Sequence, residues 1–306
     1  MKKKRLVYFG SPEFSLPPLK TLYLGGYDIV GIYTQEPKKK FRGQKKNFTP
    51  VQKWAESQLL SVFTPKVLND DTLKEFQSLK PDVAILFAYG KIVPSSWLNT
   101  PLHGFINIHA SLLPKWRGAA PIQRAIMNLD NQTGISIMKI VEELDAGPVM
   151  QQDKIQINEN IDTLTLSKVL SKLGANSILN AIIKIEKGEA RFQEQNHSEA
   201  TYAKKISKME GQINWKESAK KVLAKINGLN PNPGAWFEYN KERYKVWKAK
   251  IVNENSESGK IVDNKLTIAC KEQSIKILEI QKEGKSRQPI DQFLIGNKIK
   301  QGEKII

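Results

Sequence analysis

The chain has 306 residues, 40% of them hydrophobic, so it is long enough for two domains and apolar enough for at least one substantial core. Its only cysteine, Cys270, excludes an internal disulfide, and its three scattered histidines do not form a zinc ligand set of ordinary spacing, so we expect no metal. A net charge of +17 indicates a polyanionic partner, although a generally lysine-rich proteome would give the same excess.

The N-terminal segment MKKKRLVYFG contains an apolar run of about five residues, which is too short for a signal peptide. No stretch of the sequence approaches the roughly 20 apolar residues that a membrane helix needs. We therefore expect a cytoplasmic protein that does not interact with membranes.

Up to about residue 187, short apolar segments alternate with amphipathic ones, a pattern typical of a doubly wound α/β sheet. The predicted strands cover residues 5–10, 28–34, 60–64, 82–89, 104–110 and 133–140. The predicted helices cover residues 49–58, 69–79, 120–129 and about 162–187. The turn Gly10-Ser11-Pro12 lacks the glycines of a dinucleotide-binding loop. We therefore interpret residues 1–189 as a Rossmann-like sheet domain, but not as that of an NAD-dependent dehydrogenase.

The polar and poorly periodic segment 190–207 predicts a linker. From residue 208, one amphipathic helix over 217–226 is followed by short strands and turns, which is typical of a small, OB-like β-barrel. The predicted strands cover residues 235–239, 244–252, 265–270 and 274–280. Residues 208–306 carry 20 Lys and Arg against 12 Asp and Glu, a net +8, so positive charge is denser there than in the first domain.

Two polar side chains stand at the end of the fifth predicted strand. Because a strand repeats every two residues, Asn107 and His109 point to one face while Ile106 and Ile108 point to the other. The carboxylate needed to orient the histidine is Asp145, in the loop after the sixth strand, which we expect at the same edge of the sheet. An amide donor, an imidazole and a carboxylate suit acyl transfer through a tetrahedral intermediate. Residues of these types also commonly serve only local hydrogen bonds and turns.

The runs NIHASLLPKWRGAAPIQRAI and TGISIMKIVEELDAGPV resemble the folate-dependent formyltransferases, in particular the branch that acts on methionyl-tRNA. The similarity covers nearly the whole chain and continues in ATYAKKISKMEGQINW and NPNPGAWF. It implies that 10-formyltetrahydrofolate donates a formyl group to the amino group of methionine on initiator tRNA. Asn107 and His109 would then stabilise the oxyanion. Asp145 would hold His109 and help to move the proton from the attacking amine to the departing folate nitrogen.

The resemblance also implies binding residues. Folate would contact the turn that follows the Asn/His pair and a segment that precedes it: Ser111, Leu112, Leu113, Pro114, Tyr89, Ile92 and Val93. Initiator tRNA would contact an inserted basic loop in which Arg42 matches the key basic residue of the family, together with Lys38, Lys39, Lys40, Lys45 and Lys46. Without the resemblance, that loop is more typical of a solvated charged segment. The C-terminal domain would bind the rest of the tRNA, and the protein would act as a monomer.

Related and unrelated activities stand as alternatives. The same Asn/His/Asp module acts on glycinamide ribonucleotide or on amino sugars of sugar nucleotides. The first of these enzymes would lack residues 208–306, and the second would have little use for a basic loop at 38–46. A non-catalytic RNA-binding protein would explain the charge but not the presence of Asn107, His109 and Asp145 at the motif positions.

Overall fold

A computed structural model describes residues 3–39, 46–297 and 299–305 of the chain. Its strands, in chain order, are β1 Arg5–Gly10, β2 Asp28–Tyr33, β3 Lys38–Lys39, β4 Lys46–Asn47, β5 Val62–Phe63, β6 Val83–Phe87, β7 Phe105–His109, β8 Arg117–Gly118, β9 Gln132–Lys139, β10 Val149–Gln156, β11 Tyr202–Ala203, β12 Ala235–Tyr239, β13 Glu242–Val252, β14 Thr267–Ala269, β15 Ser274–Lys282 and β16 Gln288–Pro289. Its helices are α1 Leu16–Leu24, α2 Pro50–Ser57, α3 Asp70–Ser78, α4 Ser95–Leu98, α5 Pro121–Met127, α6 Thr163–Glu186, α7 Ala219–Gly228 and α8 Ile290–Gly296.

The first of two compact units comprises Met1–Gly118, Gly134–Ile155 and Ser167–Tyr202. Its main sheet has the strand order β10-β9-β7-β6-β1-β2-β5. The five strands from β7 to β5 run parallel, as the alternation of strands and helices predicts. The order reverses between β6 and β1, so this is a doubly wound sheet, and the predicted fold class is confirmed.

Strand β9 differs from the expectation. It runs antiparallel to β7, with Ile106 paired to Lys139 and His109 to Ser136, so its carboxyl end lies beside the start of β7. The expectation that the following loop begins at the carboxyl edge of the parallel strands is therefore wrong. Hydrophobic alternation does not encode strand direction, because period two is the same in both orientations. The loop over 140–148 closes on itself, since the N–H of Lys139 donates to the carbonyl of Pro148 at 3.0 Å.

Aromatic side chains fill the core on one side of the parallel strands. Phe9 stacks on Tyr33 with ring centroids 4.6 Å apart and meets the edges of Tyr89 and Trp97 at 5.3 and 6.5 Å. Such pairs contribute about 0.5–1.5 kcal/mol each beyond the burial of their area. This cluster makes the sheet a rigid support for the residues at its carboxyl edge.

The second unit comprises Ala119–Thr133, Gln156–Leu166 and Ala203–Ile306. Strands β12, β13, β15 and β14 form an antiparallel sheet in that order, and β16 pairs with β15. The apolar face of α7 packs on this sheet, with Val222 and Ile226 fully buried in the same core as Val246 and Ile277. The predicted C-terminal domain of short β-strands is confirmed, and its sheet is antiparallel. Among the helices of the described residues, none has the length and apolar character of a membrane span.

The thiol of Cys270 is a chemical reporter of the second unit. Only 1% of this residue is exposed, and burial raises its pKa to about 12. We expect native protein at pH 8 to react with a disulfide reagent roughly 10³-fold more slowly than free glutathione does. The Cys270 thiol is rarely ionised at that pH, and the reagent cannot reach it. The rate of thiol labelling, with and without denaturant, measures this. Equally fast labelling of native and denatured protein would contradict the burial.

Candidate active site

The polar pair on β7 is buried. Asn107 and His109 expose 7% and 6% of their surface, although neither is an apolar residue. Ile108 faces the other side, where its Cγ2 lies 3.0 Å from the position that a Cβ on Gly174 of α6 would take. The alternation predicted from the sequence is therefore observed, and the two polar side chains share one face. Buried polar groups of this kind need hydrogen-bond partners.

Asp145 is the carboxylate that faces both side chains. Its Oδ2 lies 3.6 Å from Nδ1 of His109, and its Oδ1 accepts a long hydrogen bond of 3.4 Å from Nδ2 of Asn107. The backbone N–H of Gly118 donates to Oδ2 at 2.8 Å. The side chain is only 15% exposed, so water screens these contacts weakly. The structure thus brings together the three residues that the sequence predicts as catalytic.

The second nitrogen of the His109 ring also faces an oxygen. Nε2 lies 2.9 Å from the backbone carbonyl of Trp116, which can only accept a hydrogen bond. A proton on either ring nitrogen therefore has a partner, Trp116 on one side and Asp145 on the other. This fixes the plane of the imidazole before any substrate binds.

The three side chains together supply complementary chemistry. The amide of Asn107 offers an N–H donor and does not ionise, whereas the imidazole of His109 can donate or accept a proton. Asp145 offers a carboxylate that accepts a proton and stabilises a positive imidazole. Hydrogen-bond donors beside a proton acceptor are what acyl transfer to an amine requires, because the carbonyl oxygen gains charge as the amine loses a proton.

The turn over residues 111–114 is fixed from within. The hydroxyl of Ser111 donates to the carbonyl of Lys115 at 2.6 Å, and the Leu113–Pro114 bond is cis. The hydroxyl of Ser136 on β9 donates to the carbonyl of Ser111 at 2.7 Å and accepts from the N–H of Leu113 at 3.0 Å. Gln152 on β10 donates to the carbonyl of Leu113 at 2.7 Å. Strands β9 and β10 therefore hold this turn.

A cavity of about 340 Å³ lies beside the turn. Its lining combines apolar and amide side chains, namely Leu113, Pro114, Val149, Met150, Gln151, Gln152, Gln193, Gln195 and Asn196, with Glu194. Such a lining suits a ligand with a flat apolar body and polar edges. Leu112 is half-buried on the same turn, and a Cβ on Gly134 would lie 2.6 Å from its Cδ2.

The other three residues predicted to bind folate are Tyr89, Ile92 and Val93, and their surroundings differ from those of the turn. The ring of Tyr89 lies in the aromatic core, and its carbonyl accepts hydrogen bonds from Ser11 and Gln35 at 3.1 and 3.0 Å. Ile92 is 90% exposed, and Val93 packs partly against the aromatic core. None of these three is among the described residues that line the cavity beside the turn.

The predicted basic loop is described only at its two ends. Lys38–Lys39 pairs as a short antiparallel strand with Lys46–Asn47, with Lys39 opposite Lys46. Lys46 is exposed. Lys40, Arg42 and Lys45 lie outside the described residues. The two described ends of this segment are thus paired through their backbones.

Sequence patterns missed several residues that support the site. Arg117 and Gln195 are almost fully buried, at 1% and 8% exposure, and are hydrogen-bonded to each other. Gln195 falls in the polar segment that predicts a linker, where nothing marks one residue from its neighbours. Arg117 belongs to the quoted motif, and a buried arginine is uncommon enough to be informative once burial is known.

In the described ranges 3–39, 46–297 and 299–305, no cluster of three or more His, Cys, Asp or Glu side chains could hold a metal.

Comparisons with known proteins show which sequences and folds this chain is similar to. Residues 4–182 match the family model described as formyl transferase, and residues 205–298 match that of its C-terminal domain. A methionyl-tRNA formyltransferase from Pelagibacter ubique is 47% identical over 305 residues, which cover 99% of this chain and 98% of that protein. One from Bradyrhizobium diazoefficiens is 40% identical over 306 residues, covering 98% of each. The crystal structure of an N-formyltransferase from Helicobacter canadensis, in complex with folinic acid and dTDP-3-aminofucose, has a similar fold, with a TM-score of 0.71 at 19% identity over 91% of this chain and 99% of that one.

The Ser136 hydroxyl gives a test of how the turn is held. We expect Ser136→Ala to lower the free energy of unfolding by about 1–3 kcal/mol, because the buried N–H of Leu113 loses its acceptor. Urea denaturation of the two proteins measures the difference. Ser78→Ala on exposed α3 removes a hydroxyl that bonds only to its own helix and should change stability by less than about 0.5 kcal/mol. Equal effects of the two substitutions would mean that Ser136 does not hold the turn.

Proposed function

The chain belongs to the formyl transferase family, and we propose that it transfers the formyl group of 10-formyltetrahydrofolate to the amino group of methionyl initiator tRNA, giving the formylmethionyl-tRNA used to initiate translation. The observation that carries the proposal is the approach of Asn107 and His109 to Asp145, at 3.4 and 3.6 Å, on a buried strand end. The similarity to methionyl-tRNA formyltransferases indicates the substrates, and the three side chains indicate the chemistry.

Asn107 and His109 stabilise the negative charge that develops on the formyl oxygen when the methionyl amine adds to the formyl carbon. The amide of Asn107 is available for this role because its contact with Asp145, at 3.4 Å, is long for a hydrogen bond. A charged oxygen is a stronger acceptor and would displace that contact. Each such donor contributes about 10²–10³ in rate in comparable acyl-transfer sites.

Asp145 orients the ring of His109 and accepts the proton that the amine loses as the new C–N bond forms. The same proton then passes to the folate nitrogen as the bond between that nitrogen and the formyl carbon breaks. No proton is gained or lost by the enzyme over the cycle. Before the transfer, the N–H of Gly118 stabilises the charge of the carboxylate through a hydrogen bond of 2.8 Å.

Folate binding is assigned to the turn Ser111, Leu112, Leu113 and Pro114, with Tyr89, Ile92 and Val93 as a second contact. The cavity beside Leu113 and Pro114 supports the first assignment, because its apolar and amide lining fits a flat heterocycle with polar edges. Tyr89 would contribute only backbone, since its ring packs in the core. Ile92 would contribute an exposed apolar side chain.

The tRNA assignments rest on charge. The segment 38–46, with Arg42 and five lysines, would contact the acceptor end, and residues 208–306, with a net +8, would contact the phosphate backbone. The same proposal divides the chain into a catalytic domain over 1–189, a linker over 190–207 and a tRNA-binding domain over 208–306. It also includes action as a monomer in the cytoplasm, without membrane contact.

One assay tests the function directly. Purified protein is incubated with 10-formyltetrahydrofolate labelled in the formyl group, and with methionyl-tRNA of the initiator or elongator kind. We expect the label on the initiator species, with less on the elongator. Transfer to a dTDP-linked amino sugar and not to either tRNA would contradict the proposed acceptor.

The carboxylate gives the first prediction for the chemistry. We expect Asp145→Asn to lower kcat by roughly 10²–10⁴ while the KM for tRNA stays within about twofold, because the amide keeps the shape but cannot take the proton. Steady-state kinetics at saturating folate measures both. Asp71→Asn, on a side chain that is 89% exposed, is the matched control and should behave as wild type. Near-normal turnover of Asp145→Asn would remove Asp145 from the proton transfer.

Arg42 gives a separate prediction for recognition. If Arg42 contacts the acceptor end itself, Arg42→Ala should lower kcat/KM for initiator tRNA by about 10- to 100-fold and affect elongator tRNA much less. Kinetics with both tRNAs at two salt concentrations tests this, with Lys53→Ala on α2 as the control for losing one exposed charge. The same fold loss on both tRNAs would reduce Arg42 to one phosphate contact among many.

A further inference from the structure

A buried guanidinium lies behind the candidate active site. Arg117 is 1% exposed, and a buried charge is destabilising unless it is paired and hydrogen-bonded. Its Nη1 donates to Oε1 of Glu143 at 3.1 Å, while Nε and Nη2 donate together to Oε1 of Gln195 at 3.2 and 3.0 Å. Glu143 is 59% exposed and therefore neutralises the charge only from the surface. The most buried partner of the guanidinium is thus the neutral amide of Gln195.

The amide of Gln195 can have only one orientation. Its oxygen faces the guanidinium, which has donors and no acceptor, so its NH₂ group must face the other way. There it donates to the carbonyl of Asp145 at 2.8 Å and to the carbonyl of Gly147 at 2.7 Å. Both acceptors belong to the loop that carries the Asp145 carboxylate. Arg117 thus fixes Gln195, and Gln195 fixes that loop.

The loop needs such support because of the backbone of Asp145. Its φ of 48° lies in the left-handed region, which costs a non-glycine residue about 1–2 kcal/mol. Two hydrogen bonds hold Asp145 in this conformation, one donated by the side chain of Gln195 and one by the backbone of Gly118. Arg117 acts on the Asp145 carbonyl through Gln195, and the N–H of the next residue, Gly118, donates directly to the carboxylate at 2.8 Å.

We propose that Arg117 and Gln195 are positioning residues for formyl transfer, which act by holding the backbone of Asp145 so that its carboxylate faces His109 and Asn107. The inference rests on the proposed function, because the geometry they hold matters only if Asp145 moves the proton. Neither residue contacts a reacting atom. Their effect is on the fraction of time that the carboxylate spends in the productive position.

The sharpest test is Gln195→Glu. The substituted carboxylate still accepts from Arg117, so the buried charge stays paired, but it cannot donate to the carbonyls of Asp145 and Gly147 and instead repels them. We expect kcat at saturating folate to fall about 10- to 100-fold while the KM for methionyl-tRNA changes by less than about twofold. Gln77→Glu, on the exposed surface of α3, carries the same change of charge and should match wild type.

A double-mutant cycle separates positioning from a general loss of structure. If Gln195 acts through Asp145, then Gln195→Glu should lower kcat in the wild-type background but cause almost no further loss in Asp145→Asn. Full additivity of the two losses, or an unchanged kcat in Gln195→Glu, would overturn the inference. Should Gln195→Glu fail to fold, Gln195→Met and Arg117→Lys are taken through the same cycle, with Arg191→Lys on the surface as the control for the second.

The proposed function and the positioning role would be refuted by different results. A wild-type protein that does not formylate methionyl-tRNA would refute the proposed function. An active wild-type protein whose Gln195 and Arg117 variants match their controls would refute only the positioning role.

Discussion

The hydrogen bond from the N–H of Gly118 to the carboxylate of Asp145, 2.8 Å long, is the contact on which the candidate active site depends. Asp145 follows an antiparallel strand whose carboxyl end lies beside the start of β7, whereas His109 is at the end of β7. The carboxylate therefore has to be brought back along the sheet, and that bond anchors it there. Without it, His109 would face a buried carboxylate with no backbone donor, which is costly in a poorly screened environment.

The loop that returns the carboxylate imposes its own constraints. A Cβ on Gly147 would lie 2.1 Å from the carbonyl oxygen of Lys139, so the glycine is required by close approach of two backbone segments and not by its φ. Gly134 is constrained in the same way on β9, where a Cβ would lie 2.1 Å from the carbonyl oxygen of Asp153. The polar site is therefore built on tight backbone packing, and rigid strands on both sides make the geometry reproducible.

The fold and the site could be predicted from the sequence to different depths. Period-two alternation places Asn107 and His109 on one face, and alternating strands and helices predict the parallel sheet. The direction of β9 could not be predicted from periodicity. The path of the loop that brings Asp145 to His109 could therefore not be predicted either. Gln195 could not be found at all, because a single amide in a polar segment carries no periodic signal and its burial depends on contacts with residues 78 positions away.

The short segment that follows β7 contains several of the residues that orient the candidate catalytic side chains. Arg117 and Gly118 follow His109 by only a few residues, yet one fixes the loop backbone through Gln195 and the other binds the carboxylate itself. Trp116, immediately before them, accepts from the other side of the His109 ring at 2.9 Å. Three consecutive residues thus orient two of the three candidate catalytic side chains. The contacts of Trp116 and Gly118 come from backbone groups and depend on the path of the chain after β7, whereas the effect of Arg117 also requires the side chain of Gln195.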